Sequence, residues 1–194
     1  MNILVLGPQG SGKGTQAKKI AATYGFAHIS SGDLYREAIA RGSELGKQVE
    51  PILASGALVP DEITIPLIRD RLDRGDTLPG FILDGYPRNL AQAEALDEML
   101  AELGRPLDVV FEFQVPDRQE LLDRMLKRAA EEGRPDDTPE VIQRRLDTYD
   151  RETAPLVEHY RAHRANVVGI HAHRAIDEVF HEIEDSLKAL ETRA

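Results

Sequence analysis

Cysteine is absent from this chain of 194 residues. That excludes disulfide staples and thiolate metal sites, and it fits a reducing, cytoplasmic setting. Long apolar runs are missing too. No stretch nears the roughly 18 apolar residues that a membrane-spanning helix needs, so no membrane partner is expected. Positive charge is scarce, with 24 Lys and Arg against 34 Asp and Glu and a formal net charge of −10. A nucleic-acid backbone requires surplus cations, so nucleic acid is not an expected partner. A small phosphate ligand stays open, because a local basic cluster can sit inside an acidic surface. No repeat, low-complexity tract or Pro/Gly/Ser-rich linker divides the chain, which argues for one domain over 1–194. The start, Met1 to Leu6, is apolar only briefly and lacks a basic leader, so it reads as a first strand and not as a signal peptide.

What is present is an alternation of short apolar runs with longer helical patterns. The runs are Ile3–Leu6, Ala27–Ile29, Phe81–Leu83, Val109–Val115 and Val167–Ile170. They are short and several are β-branched, as strands buried on both faces tend to be. Lys13 to Tyr24 reads as a helix stopped by Gly25. Asp117 and Glu120 form the spacing of a capping box for a helix running to Glu132, with Gly133 behind it. Thr138 before Pro139 reads as a helix N-cap with proline at the first position. Pro51, Pro66 and Pro155 interrupt helical stretches, where kinks or breaks are expected. Strands alternating with helices predict an α/β fold: a doubly wound five-stranded parallel sheet with helices on both faces. Ligands of such sheets lie beyond the carboxyl ends of the strands.

Directly after the first run comes Gly7-Pro8-Gln9-Gly10-Ser11-Gly12-Lys13-Gly14-Thr15. Glycines let a backbone wrap phosphate oxygens with its N–H groups, the helix that follows adds its positive end, and Lys13 can reach the outer phosphates. The general P-loop pattern has Ser or Thr right after the lysine. Here Gly14 stands there, with Thr15 one later.

Gly12-Lys13-Gly14-Thr15-Gln16, Ser30-Ser31-Gly32-Asp33-Leu34-Tyr35-Arg36 and Asp84-Gly85-Tyr86-Pro87-Arg88 together resemble adenylate kinase. The match continues through Gly133-Arg134-Pro135-Asp136-Asp137 and Arg144-Arg145-Leu146, so it spans nearly the whole chain. The resemblance implies two mobile inserts, one at 30–59 that binds a monophosphate and a lid of the short form at 127–137. Lids of this family are a standing example of closure over a ligand. Gln9 and Ser31 stand where Pro and Thr are commoner, and Tyr35 replaces a usual aliphatic residue.

The implied reaction is direct in-line transfer of the terminal phosphoryl group of MgATP to AMP, giving two ADP, by a monomer, the default state that the resemblance implies. Such transfer needs positioning and positive charge more than covalent help. On the ATP side the resemblance places Gly10, Ser11, Gly12, Lys13, Gly14 and Thr15. Arg128 joins them, with Arg124 on the adenine and Arg174 contacting it through its backbone. On the AMP side it places Ser31, Arg36, Ala57, Leu58, Val59, Gly85, Tyr86, Pro87 and Arg88, and it adds Arg134 and Arg145 as closing cations. Arginine suits these places because its planar fork grips phosphate at two points. Asp84 follows an apolar run, where P-loop proteins carry a magnesium-directing carboxylate. Mg2+ would arrive with ATP and meet Asp84 through water. Gln92 can donate and accept on one adenine edge. Two alternatives stay open: a UMP/CMP kinase on the same scaffold, and a non-catalytic nucleotide-binding switch. The spacings of His159 with His163 and His171 with His173 could bind metal, but no accompanying carboxylate signature supports this, and solvated surface histidines are expected.

Overall fold

The computed structural model describes residues 1–132, 138–163 and 165–192. Its elements alternate as the pattern predicts. They are β1 (Asn2–Leu6), α1 (Lys13–Tyr24), β2 (Ala27–Ser30), α2 (Ser31–Ala40), α3 (Glu44–Ser55) and α4 (Asp61–Leu72), then β3 (Phe81–Asp84), α5 (Leu90–Glu102), β4 (Val109–Gln114), α6 (Arg118–Glu132), α7 (Pro139–Thr148), α8 (Leu156–Ala162), β5 (Val167–His171) and α9 (Ile176–Glu191). Among the described residues the five strands form one parallel sheet in the order β2-β3-β1-β4-β5.

The two-residue period of the strands sorts side chains into two cores. Leu4, Leu6, Phe81, Leu83 and Val110 face one layer, where α4, α5 and α8 supply Ile68, Leu96 and Tyr160. Ile3, Val5, Ile82, Phe111 and Phe113 face the other, covered by Ala17 and Ile20 of α1 and by Val179, Ile183 and Leu187 of α9. The central strands are therefore buried on both faces. β5 departs from that expectation, because it is an edge strand with only Ile170 buried. A third, small core of Tyr35, Val49 and Val59 lies within the α2–α4 segment.

Helix boundaries follow the local chemistry. α1 ends at Gly25 in the left-handed region. The Thr138 hydroxyl accepts from Val141 N–H and Pro139 takes the first position of α7. At α6, Asp117 Oδ1 accepts from Gln119 N–H at 2.8 Å, so it does cap. The reciprocal half of the box differs, since Glu120 turns to pair with Arg124 at 2.5 Å. The prolines behave in two ways. α3 runs through Pro51 and α4 through Pro66 without a break. Both prolines are exposed, so water can serve the carbonyls that lose a helical partner. Pro155 does end a segment: a π-helical turn over Tyr149–Thr153 precedes it, and α8 starts just after.

Candidate functional site

Parallel register brings the carboxyl ends of three strands together. Ser30 lies beside Asp84, and Asp84 beside Val5. The loop after β1 therefore opens next to Asp84 and to the start of α2. Gly10 and Gly12 take positive φ of 85° and 82°, conformations that a side chain would strain. Gly14 answers the departure from the general pattern: a Cβ there would stand 3.0 Å from Asp84 Oδ2.

An open cleft follows, with Lys13 and Asp84 in its lining. Arg36 from α2, Arg88, Arg128 from α6 and Arg145 from α7 converge on it. Burial and the neighbouring cations Arg88 and Arg128 bring Lys13 down to about 8, although Asp84 pulls the other way. Asp84 is only 8% exposed. Burial alone would raise its carboxyl, but His28, Lys13 and Arg88 outweigh that and hold it below the usual carboxylate range. His28 Nε2 lies 3.6 Å from Asp84, beyond hydrogen-bonding distance. We therefore attribute most of the downward pull to Lys13 and Arg88. Burial lowers Arg88 below the ordinary arginine range.

Arg36, Arg88, Arg124 and Arg145 are positioned by backbone or carboxylate. Arg88 Nε donates to Gly85 O at 2.7 Å, and Ser31 Oγ donates to the same carbonyl at 2.7 Å. Arg36 pairs with Asp33 at 2.5 Å. Arg145 Nη2 donates to Leu53 O at 3.1 Å and Arg144 Nη1 to Ser55 O at 2.5 Å, so α7 holds the carbonyl end of α3. Arg124 donates to Ala172 O at 3.0 Å and reaches Gly10 O at 3.4 Å.

Two side pockets open from this centre. One is lined by Gly10, Ser11, Thr15, Arg124 and Arg174 together with Gln16 and Ile176. The Arg174 side chain itself pairs with Glu182 at 2.6 Å. The other pocket brings together Ser31, Ala57, Leu58, Val59, Arg88 and Gln92. Thr64 and Tyr35 also line it, with their hydroxyls 2.6 Å apart.

Some expected residues sit elsewhere. The Tyr86 ring is 1% exposed in the sheet core and its hydroxyl donates to Gln92 O. Pro87 lines a small cavity beside Gln9, Lys13 and Thr153. Arg134 and the lid segment 133–137 lie outside the described residues. His159 is not solvated as expected: it is largely buried and its Nε2 stands 2.9 Å from Asp97 Oδ2. His171 and His173 are exposed. Among the described residues no three His, Cys, Asp or Glu side chains are grouped to hold a metal.

Residues that the sequence did not single out are Asp61, Thr64 and Gln16. Asp61 Oδ1 accepts from Gln92 Nε2 and Asn89 Nδ2. Gln16 is buried, its Nε2 donating to Ile176 O at 2.8 Å. Its place at the end of the Gly-Lys-Gly-Thr-Gln run was the only available signal.

The chain is similar to known proteins along most of its length. The family model described as adenylate kinase matches residues 5–165. An adenylate kinase of Stenotrophomonas maltophilia (strain R551-3) is 46% identical over 188 residues, covering 97% of this chain and 100% of that protein. One of Bifidobacterium longum (strain NCC 2705) is 50% identical over 179 residues, covering 92% and 95%. One of Caulobacter vibrioides (strain NA1000 / CB15N) is 51% identical over 160 residues, covering 82% and 83%. A family model over most of the chain and relatives near half identity along most of their own length settle the membership: the chain belongs to the adenylate kinase family, the ATP:AMP phosphotransferases.

Proposed function

We propose that ATP and AMP lie end to end across the cleft and that the phosphoryl group passes between them directly. The observation that carries this reading is the convergence of Lys13, Arg36, Arg88, Arg128 and Arg145 on one cleft between two side pockets. An oxygen of the AMP phosphate attacks the terminal phosphorus of ATP. The bond from that phosphorus to its bridging oxygen breaks, and ADP leaves on each side. The attacking phosphate is already ionised at neutral pH, so no strong base is needed. What the protein supplies is alignment and positive charge where negative charge shifts.

In this reading the loop Gly10–Thr15 cradles the ATP phosphates, while Arg124 and Arg174 border its adenine. Arg88 and Arg36 hold the AMP phosphate. Ser31, Ala57, Leu58, Val59 and Gln92 surround the AMP base, with Gly85, Pro87 and the Tyr86 backbone beside it. Arg128, Arg145 and Arg134 close over the transferred group. Mg2+ fits the donor set: Asp84 is an ionised hard oxygen donor facing the cleft, and magnesium keeps waters and phosphate oxygens as its other ligands. Bound there, it would neutralise phosphate charge. The segments 30–59 and 127–137 act as the closing inserts, which exclude water once both nucleotides are present. The separate core of Tyr35, Val49 and Val59 supports movement of the first as a unit. We place the enzyme in the cytoplasm as a monomer, and the absence of cysteine supports a reducing compartment.

Lys13 provides the test. Its value falls from 10.5 to about 8 in the folded protein. The unfolded chain therefore holds more protons between these values, and the Lys13 contribution to stability should rise across that window. Polyphosphate beside the ammonium favours its charged form, so ATP binding at pH 8.5 should take up protons. Titration calorimetry in two buffers of different ionisation heat measures this uptake. Equal heats in both buffers would mean that Lys13 is already charged in the free protein or does not meet the phosphates. A Lys13→Ala variant that still binds ATP as tightly as the wild type would remove Lys13 from the phosphate site.

A further inference from the structure

We propose that Asp61 is a positioning residue that fixes the Gln92 amide and thereby sets which base edge the monophosphate pocket accepts. This rests on the reading above, in which that pocket holds the acceptor base.

Gln92 is 2% exposed and borders the pocket with Ser31, Val59 and Arg88. Its amide is held at both ends. Oε1 accepts from Arg88 N–H at 2.8 Å, and Nε2 donates to Asp61 Oδ1 at 2.8 Å. A carboxamide offers two donors and two acceptor positions. One of each is spent inside the protein, which leaves one N–H and one lone pair for a ligand. Their order is fixed. A flipped amide would set its NH2 against the Arg88 N–H and its oxygen against the Asp61 carboxylate, repulsive at both ends. Asp61 is itself held, since the same Oδ1 accepts from Asn89 Nδ2 at 3.0 Å. Asn89 in turn caps α5 through Gln92 N–H at 2.9 Å. The first residue of α4 and the first turn of α5 thus form one rigid frame around the amide. Of the two holds, only the Asp61 side can be removed by changing a side chain.

An ordered donor and acceptor discriminates between purines. Adenine presents an acceptor at N1 and a donor at its exocyclic nitrogen. Hypoxanthine has the same outline with the order reversed. A locked amide suits the first edge and opposes the second, because a mismatched partner leaves buried polar groups unpaired. A loosened amide discriminates less.

The experiment measures binding of AMP and IMP by calorimetry and steady-state rates with AMP for wild type, Asp61→Ala, Asp61→Asn, Gln92→Ala and the Asp61→Ala/Gln92→Ala double variant, with circular dichroism of each. Asp61→Ala should reduce the AMP-over-IMP affinity ratio by roughly tenfold, the size of one lost hydrogen-bond anchor. The change should fall on KM for AMP and leave kcat and KM for ATP within about threefold. Asp61→Asn keeps the accepting oxygen and should restore most of the ratio. In the Gln92→Ala background, Asp61→Ala should change the ratio by less than about twofold, as expected when one residue acts through the other. An unchanged ratio in Asp61→Ala overturns the proposal, as does equal weakening of AMP and IMP. So does an Asp61→Asn variant as impaired as Asp61→Ala, which would make charge the cause, or an undiminished Asp61 effect without Gln92. If Gln92→Ala itself leaves the ratio intact, the base is not read in this pocket at all, and the underlying site reading fails with it.

Discussion

Arg88→Ala should lower kcat/KM for AMP by at least about a hundredfold, the scale on which removing one charge-stabilising donor acts. The guanidinium stands at the junction of the central cleft and the monophosphate pocket, with its Nε committed to Gly85 O. That single bond fixes the fork and leaves the terminal nitrogens for phosphate. Both kcat and KM should suffer, because the group is expected to hold the acceptor phosphate before and during transfer. The fold should survive. The side chain contributes one hydrogen bond to backbone, worth about 1 kcal/mol. The Arg88 carbonyl, which accepts from Thr153 Oγ1 at 2.6 Å, is untouched by the change. Arg88→Lys should recover only part of the activity, since an ammonium lacks the planar fork. Steady-state assays with circular dichroism decide the matter. Near-normal activity would take Arg88 out of the site.

Phe111→Ala should cost about 3–5 kcal/mol of folding stability, the usual range for emptying a buried phenylalanine site. Phe111 has no exposed surface and lies in β4 beside Val5 of β1 and Val168 of β5. Its ring faces the layer closed by α1 and α9, between strands that cannot collapse into the gap. For a chain of this size the melting temperature should fall by roughly 6–20 °C. Leu78 is the control. It is 75% exposed, and Leu78→Ala should stay within about 0.5 kcal/mol. Thermal or urea unfolding of the two variants separates them, and equal effects would contradict the layered core.

Much of this was legible in the chain because the relevant chemistry is local. Strand Ile3–Leu6, the glycine loop and the helix from Lys13 are adjacent in sequence, and steric demands on a phosphate cradle leave few other residue types possible. The five apolar runs marked the five strands, and for β1, β3 and β4 the reason is similar: strands buried on both faces need continuous apolar stretches. Other features depend on distant partners. Asp61 reads locally as an acidic residue in the first turn of a helix, and nothing near it announces a bond to Gln92 thirty-one positions on. His159 carries no mark of its pairing with Asp97 on another helix. Tyr86 lies inside a motif of site residues, yet in the loop just after β3 its ring is packed into the core. Pro51 and Pro66 suggested breaks because propensity ignores solvent, which can satisfy the carbonyls that proline leaves free.

The central claim is that two nucleotides are gripped end to end by one continuous site. A bisubstrate compound, two adenosines joined through five phosphates, tests it most directly. It should bind more tightly than either ATP or AMP alone and compete with both in steady-state assays. Failure to bind, or competition with only one of the two substrates, would contradict the account.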